Sequence, residues 1–209
     1  MLDLHFKFIL GDDDAYLSNV DKLIVREWIK NNYCIYGDLT ISDDFVVNCT
    51  GEVNVKNNQI TSLTNGLFRW GKVGTDFNCA YCDKLTSLKG APESVGGSFD
   101  CCRCINLTSL EGAPKEVGKC FDCGRCDKLE TLQGAPKKVG GNFWCDHCGE
   151  LETLEGAPEK AGGDFVCSGC ENLKSLEGAP AKINHNLCCW SCDSLNITMM
   201  DYNKYSINR

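Results

Sequence analysis

The chain has 209 residues, room for one domain or one short repeat array. Its 43% hydrophobic and 24% charged residues are the make-up of a folded protein and exclude disorder as the default. Twenty-nine acidic against 21 basic residues give a net charge of −8, which argues against general nucleic-acid binding, since that needs a basic footprint.

The opening, MLDLHFKFILGDDD, lacks the basic, apolar and small-residue regions of an export signal. No stretch reaches the ~18 apolar residues of a membrane span. The expectation is a cytoplasmic protein that does not engage membranes. Leu2, Leu4, Phe6 and Phe8 alternate with polar residues and predict a strand, followed by a polar turn over Gly11 to Asp14. Asp12 to Asp14 lack the glycine and distal glutamate of a calcium loop, so a turn is the reading there. Ser18 with Asp21 resembles a capping box, and Val20, Leu23, Ile24 and Trp28 predict one apolar face of a helix ending near Asn31 and Asn32.

Short strands are expected around Ile35 to Ile41 and Phe45 to Val55. Val53, Val55, Asn58, Ile60 and Leu63 read as a degenerate first coil, with Asn58 where later coils place cysteine. Residues 64–76 are longer than their later counterparts and contain Trp70, which predicts an outward bulge.

A strict repeat follows. Gly-Ala-Pro starts at Gly90, Gly112, Gly134, Gly156 and Gly178, an interval of 22 each time. Leucine columns run through Leu85 to Leu195 and Leu88 to Leu176, and a phenylalanine column through Phe77, Phe99, Phe121, Phe143 and Phe165. Twelve of the 17 cysteines fall into two further columns, Cys79 to Cys189 and Cys82 to Cys192. Phe-x-Cys alternates like a short half-buried strand, while Gly-Ala-Pro and Gly-Gly mark turns. No ten-residue segment with helical spacing fits between Leu88 and Phe99, so the far side of each coil is expected to be irregular, extended or 3₁₀. After Leu195 the phase is lost, and the tail predicts a short closing strand or loop.

These columns describe a mostly β, leucine-rich-repeat-like solenoid. Residues 1–50 form a strand-helix cap, 51–194 the coils (one degenerate, six regular), and 195–209 the C-terminal end. The segment LTSLEGAPKEVG at Leu107 to Gly118, and GKVGTDF at Gly71 to Phe77, resemble the leucine-rich-repeat-like proteins of bacteriophages, large DNA viruses and bacteria. The resemblance covers roughly residues 20 to 195 and implies a right-handed solenoid in a viral or bacterial setting, with no shared catalytic residue. One departure is the turn C-x-x-C-x-x-L, a residue longer than the family's C-S-N-N-x-L.

Paired cysteines often signal zinc or iron–sulfur, but here both columns are in phase with the core, and free cysteine packs as a small hydrophobe. No metal ligand set and no cofactor is read from them. Cys34 and Cys49 are expected in the cap core, and Cys102, Cys120 and Cys188 at outward positions beside the strand. His5 and His185 read as surface or cap residues. No nucleotide-binding glycine loop, nucleophile elbow or HExxH motif is present, so catalysis is not expected.

Function is expected on the outward strand positions, which vary where the framework does not. Tyr81, Arg103, Arg125, Trp144, His147 and Trp190 are types enriched at binding hot spots, and Asp100, Asp122 and Asp146 lie among them. The competing reading is a solvated charge ladder in which the arginines pair with the aspartates. The expected partner is a protein, with a host antiviral-defence component as the viral form of that expectation. Sequestration of a phosphorylated or nucleotide ligand, or a cysteine-ladder metal or redox protein, are the alternatives. Self-association through the C-terminal edge is a further expectation.

Overall fold

The computed structural model describes residues 14–198, 201 and 204–208. The expected N-terminal strand and most of the polar turn lie outside these residues. A helix, α1 (Asp14–Asn32), runs into β1 (Tyr33–Tyr36), β2 (Leu39–Ile41), β3 (Val46–Cys49), β4 (Glu52–Val55) and β5 (Arg69–Val73). Each coil then gives two short strands: β6 (Phe77–Asn78) and β7 (Ser94–Val95), β8 (Phe99–Asp100) and β9 (Glu116–Val117), β10 (Phe121–Asp122) and β11 (Lys138–Val139). The pattern continues with β12 (Phe143–Trp144) and β13 (Lys160–Ala161), β14 (Phe165–Val166) and β15 (Lys182–Ile183), then β16 (Leu187–Cys188) and β17 (Ile207–Asn208).

The result is a β-solenoid with two sheets. One is ordered β1-β4-β6-β8-β10-β12-β14-β16-β17, the other β15-β13-β11-β9-β7-β5-β3-β2. The repeat pairs in parallel, in register with the sequence period: Phe121 lies beside both Phe99 and Phe143. Antiparallel pairing occurs at the N-terminal end, β1 with β4 and β2 with β3. The far side of the coil is therefore the extended one of the three expected forms, and its short strands pair into a second parallel ladder rather than an irregular or 3₁₀ path. Two-residue strands there are long enough to bond to both neighbouring coils, and stacking makes them a sheet. The closing strand expected of the tail is β17, which pairs with β16.

Between the sheets the columns become stacks. Consecutive rings from Phe77 to Phe165 lie parallel within 15°, with centroids 5.2–5.5 Å apart, set by the ~4.8 Å strand spacing. Both leucine columns are buried. The cysteines do more than fill space. In the second column, Cys104, Cys126, Cys148, Cys170 and Cys192 each donate an S–H to the carbonyl of the first-column cysteine one coil earlier, at 3.1–3.3 Å. Those carbonyls turn away from the sheet ladder, and unpaired burial would be costly. The first-column thiols of Cys101, Cys123 and Cys145 donate forward to the carbonyls of Asp122, Trp144 and Val166. Burial pushes the thiols of Cys82 and Cys170 up to about 12, which keeps them protonated and able to donate.

Two kinds of glycine shape the coil. The Gly-Ala-Pro glycines have φ between 86° and 94°, with the following alanine N–H bonded to the preceding leucine carbonyl, as in a type II turn. The glycine directly after the second-sheet strand, at Gly96, Gly118, Gly140 and Gly162, has no positive φ. It is required because a Cβ there would lie 2.0–2.2 Å from the carbonyl oxygen of the previous coil. That position is a close approach rather than a left-handed turn.

The N-terminal cap departs from expectation in four places. Helix α1 starts at Asp14, so Ser18 lies inside it and is no N-cap. Its buried stripe is Val25 and Ile29 with half-buried Trp28, while Leu23 and Ile24 are exposed, because the stripe that meets the coils lies about one residue further round. Trp70 does not bulge outward. It sits in β5 at 3% exposure, because the longer segment carries a strand of the second sheet. Its ring meets Tyr33, Phe68 and Phe77 in an aromatic cluster, joined by Trp28, that seals the first coil. Asn58 is exposed, because the first coil has the shorter turn and Asn57 braces it by accepting the Gln59 N–H.

Candidate binding face

Alternation places every residue between Phe and Cys on the outer surface of the nine-stranded sheet, and the two residues after the first cysteine carry the chain off the strand. The second of these two has a positive φ in every repeat coil: Tyr81 (60°), Arg103 (57°), Arg125 (57°), His147 (54°), Gly169 (72°) and Ser191 (54°). Left-handed backbone costs a non-glycine residue about 1–2 kcal/mol, and glycine is the usual occupant. Here five of six positions carry a side chain, four of them large.

Those four side chains form one file. Backbone bonds tie the file together coil to coil, from Arg103 N–H to the Gly124 carbonyl, Arg125 N–H to Asp146 and His147 N–H to Ser168. Tyr81 is 56% exposed and the Arg103 guanidinium lies 5.4 Å from its ring centroid. Arg125 makes no side-chain hydrogen bond and no ion pair among the described residues. The charge-ladder expectation therefore fails: among the described residues neither arginine pairs with Asp100, Asp122 or Asp146, and Arg103 lies over Tyr81 instead.

The aspartates have local tasks. Oδ1 of Asp100 accepts the N–H of Cys102 at 2.9 Å, and Oδ1 of Asp122 accepts that of Gly124 at 2.8 Å, bracing the turn as Asn78 does for Ala80. Asp146 lies 2.9 Å from His147 Nδ1. Burial, followed by the nearby charges of Asp100 and Asp146, raises the Asp122 carboxyl to about 6 against the opposing Gly124 hydrogen bond. Burial and the Asp100 carboxylate push Cys102 up to about 12.

Trp144 is half-buried in the file of Asp100 and Asp122, whereas Trp190 is 48% exposed in the file of Asp146. Eight of the nine expected residues thus lie on or beside the outer face of this sheet in adjacent coils, from Tyr81 to His147. Trp190 stands apart, beyond the coil that carries Ser168 and Gly169. Cys102 and Cys120 are half-buried at outward positions, but Cys188 is buried, beside the closing strand that pairs with it at Asn208.

The opposite sheet carries a feature the sequence reading missed, an open groove of about 480 Å³ lined by the glycine file with Lys138 and Lys160. The glycine column is its sequence signal. Because those glycines are demanded by the neighbouring coil's carbonyls, the groove follows from packing. Among the described residues, no helix is long and apolar enough to cross a membrane. No family profile, no curated protein and no solved structure matches this chain.

Proposed function

We propose that this chain is a non-catalytic binding module that recognises a protein partner through the outer face of the nine-stranded sheet. The observation that carries this reading is the left-handed file. Tyr81, Arg103, Arg125 and His147 occupy positions where glycine would relieve strain; all four are exposed, and the Arg125 guanidinium has no ion pair or hydrogen bond among the described residues. Side chains held at a conformational cost, exposed, and of hot-spot type are what a recognition surface requires. Tyr81, Trp144 and Trp190 supply apolar area, and the two arginines supply donors for carboxylates of the partner.

The resemblance to viral repeat proteins directs the search to host lysates. The test is capture from such a lysate with the wild-type chain, with a Tyr81→Gly/Arg125→Gly variant, and with a Lys138→Ala/Lys160→Ala variant of the opposite sheet. A partner kept by the wild type and the lysine variant but lost by the first variant, at unchanged melting temperature, supports the reading. A partner lost only by the lysine variant, or no stoichiometric partner at all, overturns it.

A further inference from the structure

The outer face of the sheet also holds a set of side chains to which the proposed recognition assigns no contact. Asp100, Cys102 and Asp122 bring a carboxylate, a thiol and a second carboxylate together with their ligand atoms all within 4.8 Å, and each is half-buried. Among the described residues this is the one such set of three, and it does not involve the ladder of core thiols. A separate feature adjoins it. Gly124, next in file after Cys102, carries no side chain, and carboxylates occupy the space one would take. An ideal Cβ there would lie 2.6 Å from Asp146 Oδ1 and 3.2 Å from Asp122 Oδ1, so carboxylates from two coils lean over the same missing side chain. Gly124 does not have a positive φ, so backbone conformation does not account for the glycine.

The charges in this set are not compensated from within. Among the described residues no cation pairs with Asp100 or Asp122, and Arg103, the nearest candidate in sequence, stacks on Tyr81 instead. The turn-bracing bonds use Oδ1 of each aspartate. Oδ2 of Asp100 has one long bond, 3.4 Å, from Asn78, and Oδ2 of Asp122 has none.

We propose that Asp100, Cys102 and Asp122, with Asp146 leaning over Gly124, form a binding site for a divalent transition-metal ion of the zinc class. One thiolate with carboxylates suits a borderline ion better than calcium or magnesium, which take oxygen alone. Tetrahedral bonds of about 2.0–2.3 Å set ligands roughly 3.5 Å apart. The set must therefore contract by about 1 Å, within reach of rotation about the side-chain bonds. Binding releases the Cys102 proton to solvent and forms a metal–sulfur bond; no oxidant or reductant is involved. The site draws on three successive coils, so the ion would clasp them from outside.

Reduced, chelator-treated protein titrated with cobalt(II) tests this directly. The expected result is one ion per chain with a thiolate-to-cobalt absorption band, and displacement of that band by zinc(II). Cys102→Ala abolishes the band, while Asp122→Asn and Gly124→Ala weaken binding by at least about tenfold, the scale on which even outer-shell changes act. Cys120→Ala leaves the titration unchanged. A titration without the band, or a band that survives Cys102→Ala, overturns the proposal. Matched melting curves of the chelator-treated variants ensure that a lost band reports a lost ligand rather than a lost fold.

Discussion

Each coil contains two turns with a left-handed residue, and they obey opposite rules. In Gly-Ala-Pro the left-handed position is glycine five times out of five, at φ 86° to 94°. In the turn that leaves the outer strand it is glycine once in six. The neighbouring coil explains the difference. A Cβ at Gly112, Gly134, Gly156 or Gly178 would sit 2.4–2.5 Å from backbone atoms of the coil before it. At Gly169, the one glycine in the other file, the nearest atom is the movable ring of His147 at 2.8 Å. One turn is walled by main chain and admits only glycine. The other opens to solvent and holds side chains despite the strain.

The comparison can be broken at several points. The largest effect is expected for Gly134→Ala, which combines an unfavourable φ with a clash against main chain, and should cost about 3 kcal/mol or more in urea unfolding. Gly90→Ala should cost visibly less, because its nearest neighbour is the Thr64 side chain at 2.9 Å, which can turn aside. Equal losses for the two would show that φ alone sets the rule.

The solvent-side turn is anchored from beneath, since the Cys101 carbonyl that opens it accepts the Cys126 thiol at 3.3 Å. Cys126→Ala should cost about 1–3 kcal/mol by leaving that buried acceptor poorly bonded, and Cys126→Ser should recover part of the loss. An unchanged unfolding midpoint for Cys126→Ala would reduce the ladder to simple packing.

Acidity offers a smaller effect. The Asp122 carboxyl is raised in the folded chain to about 6, so the folded state holds its proton more tightly than the unfolded one. The associated stability is fully present below the ordinary carboxyl range and is lost as pH rises through about 6. In chelator, Asp122→Asn should therefore stabilise the protein at pH 7 by about 1 kcal/mol after allowance for solvent screening. The advantage should shrink to nothing near pH 4, and a constant difference across that range would contradict the assigned cause. Smallest of all, Arg125→Gly should shift stability by less than about 1 kcal/mol, since relief of strain is offset by the freedom glycine gives the unfolded chain.

The core was legible in the sequence because every stacked column repeats one residue type at one interval, and stacking turns such columns directly into contacts. Phe99, Leu107 and Cys104 needed no more than the period. The second sheet was not legible, because Ser94–Val95 and its counterparts offer a single apolar residue per strand, too short for alternation to show. Trp70 misled because extra length reads as insertion when no neighbour is in view. Leu23 and Ile24 misled because an apolar stripe only a few residues wide leaves its orientation open by one position. On the outer face of the nine-stranded sheet, the residue types were legible but the backbone beneath them was not. A left-handed file normally announces itself by glycine or asparagine, and only Gly169 does so here. The convergence of Asp122 and Asp146 over Gly124 draws on two successive coils and has no linear signature.

The in-register pairing of identical columns makes every junction between regular coils chemically alike: Phe99 on Phe121 is the same contact as Phe121 on Phe143. Unequal recombination between the corresponding stretches of the gene would thus add or remove a whole coil without creating a new kind of interface. The left-handed file would be rewritten by one residue at each such event. A lineage could lengthen, shorten or shuffle this outer surface through DNA exchange alone, without a new kind of coil-to-coil contact.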